Sequence, residues 1–258
     1  MDHATLPTDL IGIARQIALH AFTFDFARYL IAASLVAGIV WLLRRTRWAS
    51  CKIQSREATS ADVRREFLAS VRTVLVYVAM SVGIVWAERH GYLQDINGSW
   101  GLGWDLAMLA LILLAHDAYF YWSHRMMHHP RLFRVFHQFH HRTITPTPWA
   151  AYSFAVPEAV VMALFMPLWL YFVPTPGTAL FAFLAIMILR NCMGHAGLEL
   201  HARGWASHPL LKWISTTTHH DMHHHGSYRH NFGFYFTWWD KMMGTEHPRY
   251  VETYDRVT

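Results

Sequence analysis

The residues from His116 to His141, HDAYFYWSHRMMHHPRLFRVFHQFHH, decide how this chain is organised. They place His124 and His128 four residues apart. They end in a group with the offsets zero, three and four, which consists of His137, His140 and His141. Residues three and four apart share one face of an α-helix, so each group presents its imidazoles in one direction. Neutral imidazole is a common metal ligand, and the spacing therefore predicts a metal site.

A second stretch nearer the C-terminus repeats the pattern. Residues 219–225 read HHDMHHH, and the offsets zero, three and four recur at His220, His223 and His224. Of the 20 histidines in the chain, 16 lie between residues 116 and 230. A lone histidine is usually an ordinary surface or core residue, and an affinity tag would lie at a terminus without the interleaved Asp-Met. The clustering therefore favours metal ligation.

The composition indicates a membrane protein. Hydrophobic residues make up 53% of the 258 positions and charged residues only 15%, which is too apolar for an ordinary soluble domain. The net charge of +5 does not indicate nucleic-acid binding, because the basic residues lie beside apolar segments instead of on one polar face. Cys51 and Cys192 form no disulfide framework and are expected to be free thiols.

Five apolar runs predict the architecture. They cover residues 24–43, 73–87, 104–122, 149–173 and 178–189, and the first is about as long as the ~20 residues that cross a bilayer core. Pro157 and Pro167 interrupt the fourth run and predict a kink. We therefore expect an all-α integral membrane helical bundle with four to five transmembrane helices and a cytoplasmic helical cap that holds a histidine-rich dimetal site. Residues 1–103 would form N-terminal membrane helices with a basic loop, and residues 104–258 the catalytic domain.

The basic residues predict the orientation. The segment Arg44–Arg72, called the basic loop below, carries eight Lys and Arg, whereas the link Glu88–Gly103 carries one. The basic loop is therefore expected on the cytoplasmic side. Counting spans from it also puts residues 124–141 and 195–230 on the cytoplasmic face, so both histidine regions would meet there.

The ligand types do not identify the metal. The clusters lack thiolates, which argues against a soft copper(I) or cysteine-rich zinc site. Eight or nine imidazoles exceed the four ligands of a structural zinc, so two ions fit the number of ligands. Imidazole suits iron, zinc, copper and nickel alike. Asp117, Asp221 and Asp240 lie near the clusters and are candidates to hydrogen-bond the outer ring nitrogen of a ligand.

The ordered motifs resemble the membrane fatty acid hydroxylase/sterol desaturase superfamily of non-haem di-iron enzymes. They are DAYFYWSHRMMHH (117–129), HQFHH (137–141), GHAG (194–197), HHDMHH (219–224), NFG (231–233) and WDKMMGT (239–245). The resemblance implies nine metal ligands: His124, His128, His137, His140, His141, His195, His220, His223 and His224. His129 and His225 are adjacent extras, and the candidates for positions just outside the ligands are Asp117, His219, Asp221, Asn231 and Asp240.

The resemblance also implies an activity. Two iron ions, replaceable by zinc in purified protein, would use O2 to hydroxylate an unactivated C–H bond of a lipid that is fatty acyl, sphingoid or sterol-like. The motif at Gly194 and His195 differs from the His-Ser-Gly-Tyr form common in sterol-acting members. Electrons would come from an external donor, a ferredoxin or a cytochrome b5 with its reductase. The membrane would be the inner or plasma membrane in a bacterium and the endoplasmic reticulum in a eukaryote.

Two alternatives remain open. The first is C–C desaturation of the same lipids, because hydroxylation and desaturation both begin with hydrogen abstraction. The second is a membrane metal transporter or sensor without enzymatic activity, which would place coordinating groups along a path through the bilayer. Acidic residues and histidines instead gather at one face, with Glu158, His116 and Asp117 as the main exceptions. This distribution favours a fixed site open to lipid.

Overall fold

The computed structural model describes residues 10–94, 96, 98–226 and 228–258. Within these residues the chain forms α-helices and short 3-10 turns, with no strand and two isolated β-bridges. The α-helices are α1 (Leu10–Leu43), α2 (Ser60–Arg89), α3 (Leu102–Met127), α4 (Pro130–Phe136), α5 (Val156–Phe172), α6 (Gly177–Gly194), α7 (Thr217–His224), α8 (Trp238–Met242) and α9 (Tyr250–Val257). The prediction of an all-α fold is confirmed.

Four of these helices are long and apolar enough to cross a membrane. They are α1, α2, α3 and α6, and the apolar α5 is shorter at 17 residues. Their side chains facing outward are large and apolar, as in Trp41 and Phe181, which are 56% and 61% exposed. Such surfaces suit a lipid environment. The prediction of an integral membrane bundle with four to five spanning helices is confirmed.

The second helix is longer than the sequence predicted. We expected an amphipathic helix after residue 60 and a separate apolar span from 73 to 87, but one helix runs from Ser60 to Arg89. Thr59 starts it with a capping box, since its hydroxyl accepts from the Asp62 amide at 3.2 Å and its amide donates to the Asp62 carboxylate at 3.0 Å. No proline lies between these ends, so the helix continues from the polar part into the apolar part.

The fourth apolar run does not form one kinked helix. Its first residues form a 3-10 turn, Pro148–Tyr152, and α5 begins only at Val156. Pro157 lies in the first turn of α5, where a proline costs no intrahelical hydrogen bond, and Pro167 lies inside the helix. The run therefore divides into a buried turn and a short apolar helix.

The turn Pro148–Tyr152 is buried between α1, α2 and α6. Its backbone is held by side chains, because the Tyr29 and Ser70 hydroxyls both donate to the Trp149 carbonyl, at 2.9 and 2.8 Å. Buried backbone groups need such partners. The Tyr29 ring also stacks on Tyr152 at 5.7 Å between centroids. The N-terminal helices thus share a core with the histidine-bearing half of the chain, and the division at residues 103/104 stays a prediction.

The histidine regions meet at one end of the bundle. At the other end the link before α3 contacts the turn between α5 and α6: the Gln94 amide donates to the Leu170 carbonyl at 2.8 Å, and the Thr178 amide to the Gly98 carbonyl at 3.2 Å. The 26 residues of α3 separate the two ends by about 39 Å. The predicted topology, with both histidine regions on one face, agrees with this arrangement.

Candidate metal centre

The structure brings the nine predicted ligands into two adjoining groups. Within each group the ligating nitrogens lie within 4.8 Å of one another. The five-histidine group consists of His124, His128, His137, His141 and His223. The four-histidine group consists of His140, His195, His220 and His224. Rings of different groups are neighbours, since the His141 and His224 centroids are 5.0 Å apart. Two ions held here would therefore be close together.

The division between the groups follows the spacing in sequence. Pairs four residues apart stay in one group, as His220 and His224 do, whereas the residue at offset three, His223, joins the other group. On a helix with about 100° per residue, offsets zero and four diverge by about 40°, and offset three lies about 100° from offset four. The triad on α7 can thus serve two ions side by side, and residues 137–141, which form turns and not an α-helix, divide in the same way. Our expectation that each triad points in one direction was wrong in this respect.

Helix ends position most of the ligands. His128 and His195 follow the last residues of α3 and α6, and His137 follows α4. The 3-10 turn His140–Arg142 then supplies two ligands. Helix α7 begins at Thr217, because the Thr216 hydroxyl accepts from the His219 amide at 3.2 Å. Placing ligands at helix ends lets several elements contribute to one site.

The spacing of the ring nitrogens fits a metal coordination sphere. In the five-histidine group the Nε2 atoms of His124 and His137 are 2.9 Å apart, and those of His128 and His223 are 3.1 Å apart. In the four-histidine group the Nε2 atom of His220 lies 3.1 Å from that of His195. Nitrogens bound about 2.0–2.1 Å from one ion lie about 2.9–3.4 Å apart at coordination angles between 90° and 109°. The residues present therefore fit metal ions at both groups.

Hydrogen bonds at the opposite ring nitrogen orient the ligands. Six of the rings place Nδ1 against an oxygen at 2.6–3.3 Å, which fixes the proton on Nδ1 and leaves the Nε2 lone pair facing the other ligands. The pairs are His124 with the Phe232 carbonyl, His137 with the Glu158 carboxylate, His140 with the Ser153 carbonyl, His195 with the Asn191 carbonyl, His223 with the His230 carbonyl and His224 with the Thr143 carbonyl.

Burial keeps the ligands outside the spanning helices neutral. It lowers the pKa of His128 to about 2 and that of His195 to about 4. Burial also lowers the pKa values of His137 and His223 far below the ordinary value, and repulsion between neighbouring rings adds to the effect. A neutral imidazole is the form that binds metal, so the apo site is already in the ligating protonation state at neutral pH.

One functional residue was missed by the sequence reasoning. The Glu158 carboxylate contacts Nδ1 of His137 at 2.6 Å, and the two side chains are 1% and 2% exposed. The sequence pattern identifies Glu158 only as an acidic exception among apolar residues. The signal that marks it is its position, because it is the one acidic residue of the otherwise apolar α5. Intramembrane carboxylates are costly and usually have a partner.

Asp117 and Asp240, which were expected to hydrogen-bond ring nitrogens of the ligands, bind backbone amides instead. Neither hydrogen-bonds a ring nitrogen of the nine ligands; both hold the backbone of residues 232–236. Asp117 accepts from the Tyr235 and Phe236 amides at 2.9 and 3.2 Å. Asp240 accepts from the Phe232 and Gly233 amides at 2.9 and 2.7 Å. The Phe232 carbonyl in turn orients His124, so these carboxylates position a ligand through the segment between them.

The other candidates also lie outside both groups. His219 is fully buried, with Nε2 3.5 Å from an Asp240 oxygen. Asn231, in the left-handed conformation with φ of 60°, donates to the His219 carbonyl at 2.8 Å. Asp221 accepts from the Gln54 side chain at 2.8 Å, and burial raises its pKa to about 7. It thus tethers α7 to the basic loop instead of contacting a ring nitrogen. The extras His129 and His225 are exposed.

An apolar cavity between the spanning helices adjoins the metal centre. It has a volume of about 280 Å³ and is lined mainly by apolar side chains of α1, α2, α3, α5 and α6. It shares Phe120, Phe154, Met162 and Asn191 with the lining of a smaller space next to the ligands. That smaller space is bounded by His124, His137, His140, His195 and His220. An apolar molecule in the cavity would therefore have one end beside the histidine groups.

Comparisons with known proteins find several relatives of this chain. A Delta(7)-sterol 5(6)-desaturase of Gibberella zeae is 30% identical over 157 residues, covering 60% of this chain and 46% of that protein. The lathosterol oxidase of Mus musculus is 26% identical, covering 74% of this chain and 64% of that protein. A cholesterol 25-hydroxylase-like protein of Danio rerio is 29% identical, covering 76% and 77%. The chain spans about half the length of the curated sterol desaturases that it matches.

No solved structure gives a significant match to the chain. The family described as "Fatty acid hydroxylase" matches residues 109–245, which include all nine histidines of the two groups. The match covers more than half of the 258 residues. On this evidence the chain belongs to the fatty acid hydroxylase family.

Proposed function

We propose that this protein is an O2-dependent lipid hydroxylase whose two iron ions are held by the nine histidines. One observation carries the proposal: two adjoining, buried groups of inward-facing Nε2 atoms meet the end of an apolar cavity inside spanning helices. Nitrogen-only ligation fits iron, and zinc could replace it in purified protein. A lipid can enter such a cavity from the bilayer and present a C–H bond without crossing water.

The chain's own residues would orient the substrate and keep the site dry. Iron bound to the histidines would supply the reductive activation of O2 that an unactivated C–H bond requires. Phe120, Phe154 and Met162 line the junction between the cavity and the ligands, so they would fix the position of the presented carbon and exclude water. Glu158 would hold His137 in one tautomer and raise its basicity.

Desaturation of the same lipids is the second candidate. It is favoured by the names of several relatives, which are sterol desaturases, whereas the zebrafish relative is named for a hydroxylation. We prefer hydroxylation because HHDMHH (219–224) and the downstream stretch YFTWWDK (235–241) resemble the hydroxylating branch most closely. A metal transporter is disfavoured because the ligands lie together at one end of the bundle, each group within 4.8 Å.

We also propose a cytoplasmic location for the site and an external electron donor. The basic loop supports both, since its excess of Lys and Arg is typical of cytoplasmic segments. Arg44 and Arg45 in this loop are exposed. A ferredoxin or cytochrome b5 with an acidic surface would be steered towards it. The alternative is that these arginines meet anionic lipid head groups.

The proposal is tested by mass spectrometry of lipids from cells that make the protein, grown under ¹⁸O2. We expect a lipid heavier by one labelled oxygen, and none in cells that make the His137→Ala/His223→Ala variant. A His20→Ala/His90→Ala variant, which removes two histidines outside both groups, is the matched control. A product lighter by two hydrogens would support desaturation. Unchanged lipids together with altered cellular metal content would contradict both enzymatic functions.

A further inference from the structure

A charged pair lies inside the first spanning helix. Nη2 of Arg28 donates to the Asp25 carboxylate at 2.7 Å, and the two side chains are 10% and 9% exposed. Nη1 of Arg28 donates to the Leu184 carbonyl of α6 at 3.2 Å. Charged groups within spanning helices are expensive and usually mark a functional site. Neither residue belongs to the metal centre.

The pair borders the apolar cavity. Asp25 and Arg28 both line it, together with the polar side chains of Tyr77, Ser81 and His116. The two hydrogen bonds of Arg28 use two of the five N–H donors of a guanidinium, and its Nε atom is buried without a partner among the described residues. An ion pair that served packing alone would need no adjoining cavity. These polar side chains therefore indicate that the molecule in the cavity carries a polar group beside them.

The chemistry of the pair selects the kind of group. A carboxylate accepts hydrogen bonds and a guanidinium donates them, so Asp25 and Arg28 together complement a hydroxyl, which does both. The pair carries no net charge, so it offers a phosphate, a free carboxylate or a quaternary ammonium no net attraction to offset the cost of burying that charge. A neutral lipid alcohol satisfies both partners without burying an additional net charge.

The geometry of α6 gives the distance between this patch and the metals. Leu184, which contacts Arg28, lies seven residues before Asn191 and eleven before His195. At about 1.5 Å per residue these separations are about 10 Å and about 16 Å along the helix. Asn191 lines both the cavity and the space beside the ligands, so the cavity extends from the level of Arg28 to side chains that it shares with that space.

We propose that Asp25 and Arg28 bind the hydroxyl of a neutral lipid alcohol, which places the oxidised carbon about 10–16 Å from that hydroxyl. The hydroxyl binding stands on the cavity alone, and the position of oxidation rests on the proposed function. The substrate is thus a lipid alcohol that enters with its hydroxyl away from the metals and is oxidised at a remote carbon, not at a neighbour of the carbon bearing oxygen.

Binding is tested with cholesterol and its 3-methyl ether, which can accept but cannot donate a hydrogen bond. Wild-type protein in phosphatidylcholine nanodiscs is expected to bind cholesterol about 10- to 100-fold more tightly, the range of one hydrogen bond to a charged group. Asp25→Asn should reduce this preference to less than about threefold. Asp105→Asn, which removes a carboxylate that does not line the cavity, should keep the preference. Equal affinity of the wild type for the two compounds would overturn the proposal even if Asp25→Asn does not fold.

The product gives a separate test. Incubation of wild-type protein with cholesterol, O2 and a ferredoxin or cytochrome b5 with its reductase should give a product oxidised far from the 3-hydroxyl, located by fragmentation in the mass spectrometer. Oxidation beside the hydroxyl would overturn the proposed orientation. A clear hydroxyl preference in binding without any oxidation would contradict the proposed function and leave the hydroxyl site supported. Oxidation of cholesterol without a preference for the free hydroxyl in binding would contradict the hydroxyl site and support the proposed function.

Discussion

Replacing Glu158 with glutamine is expected to weaken one metal site and spare the other. The carboxylate holds Nδ1 of His137 at 2.6 Å in a buried setting, and His137 belongs to the five-histidine group. Glutamine has nearly the same shape but carries no charge, so the change removes the charge-assisted part of this hydrogen bond. A hydrogen bond to a charged group contributes about 1.5–3 kcal/mol. This corresponds to about 10- to 100-fold in metal affinity, the usual cost of losing such a partner.

The assay is an anaerobic titration of metal-free protein with iron(II) in competition with a chelator. Wild type should bind two ions, and Glu158→Gln should show one of the two affinities lowered by about 10- to 100-fold. Glu66→Gln is the matched control, because Glu66 is equally buried but accepts from the Thr147 hydroxyl, not from a ligand. Unchanged affinity for both ions, or an equal loss at both, would refute the role assigned to Glu158.

Three further results are expected. Gly233→Ala should destabilise the protein by about 1–3 kcal/mol in thermal unfolding and weaken metal binding, because a Cβ there would collide with the Phe236 carbonyl. The control Gly38→Ala has open space around the added Cβ and should leave the melting temperature unchanged. Metal-free protein should lose stability as the pH falls below about 6.5, by up to about 1.4 kcal/mol per pH unit for each buried ring such as His195. The sign follows because the folded pKa of these rings lies below the unfolded value, so the unfolded chain binds more protons. Buried carboxyls oppose this, as Asp221 and Asp240 do with pKa values raised to about 7 and about 6, but they are fewer than the rings. A melting temperature of the metal-free protein that does not change between pH 7 and pH 5 would contradict this prediction. Turnover with a purified acidic electron donor should fall as ionic strength rises, and insensitivity to salt would favour lipid head groups as the partners of the basic loop.

Much of the architecture could be predicted from local patterns. Apolar runs of sufficient length predict spanning helices, because the thickness of the bilayer core fixes the length that is needed. The offsets of the histidines predict which of them share a helix face, because the helical repeat is fixed. The boundaries were less predictable. The polar start of α2 and its apolar part were assigned to separate elements, since composition changes there while the helix itself does not stop. The buried turn Pro148–Tyr152 depends on donors from Tyr29 and Ser70, which lie far away in sequence.

The finer organisation of the site required the tertiary structure. The spacing of the histidines accounts for which members of one triad share a group. It does not show that His223 joins His124 or that His140 joins His195, because these combinations depend on how distant segments of the chain meet. The predicted partners Asp117 and Asp240 are near the ligands in sequence, yet they bind the backbone of residues 232–236. Glu158, 21 residues from His137, makes the direct contact. Proximity in sequence therefore predicted which carboxylates lie near the ligands, but not which of them contacts a ring nitrogen.

The most direct test of the dimetal centre is the metal content of the purified protein and of one variant for each group. We expect two iron ions per chain in the wild type and one in His137→Ala/His223→Ala, which removes two ligands of the five-histidine group. We expect one also in His220→Ala/His224→Ala, which removes two ligands of the four-histidine group. The control His20→Ala/His90→Ala should retain two. One ion per chain in the wild type, or an unchanged count in both ligand variants, would contradict the dimetal centre.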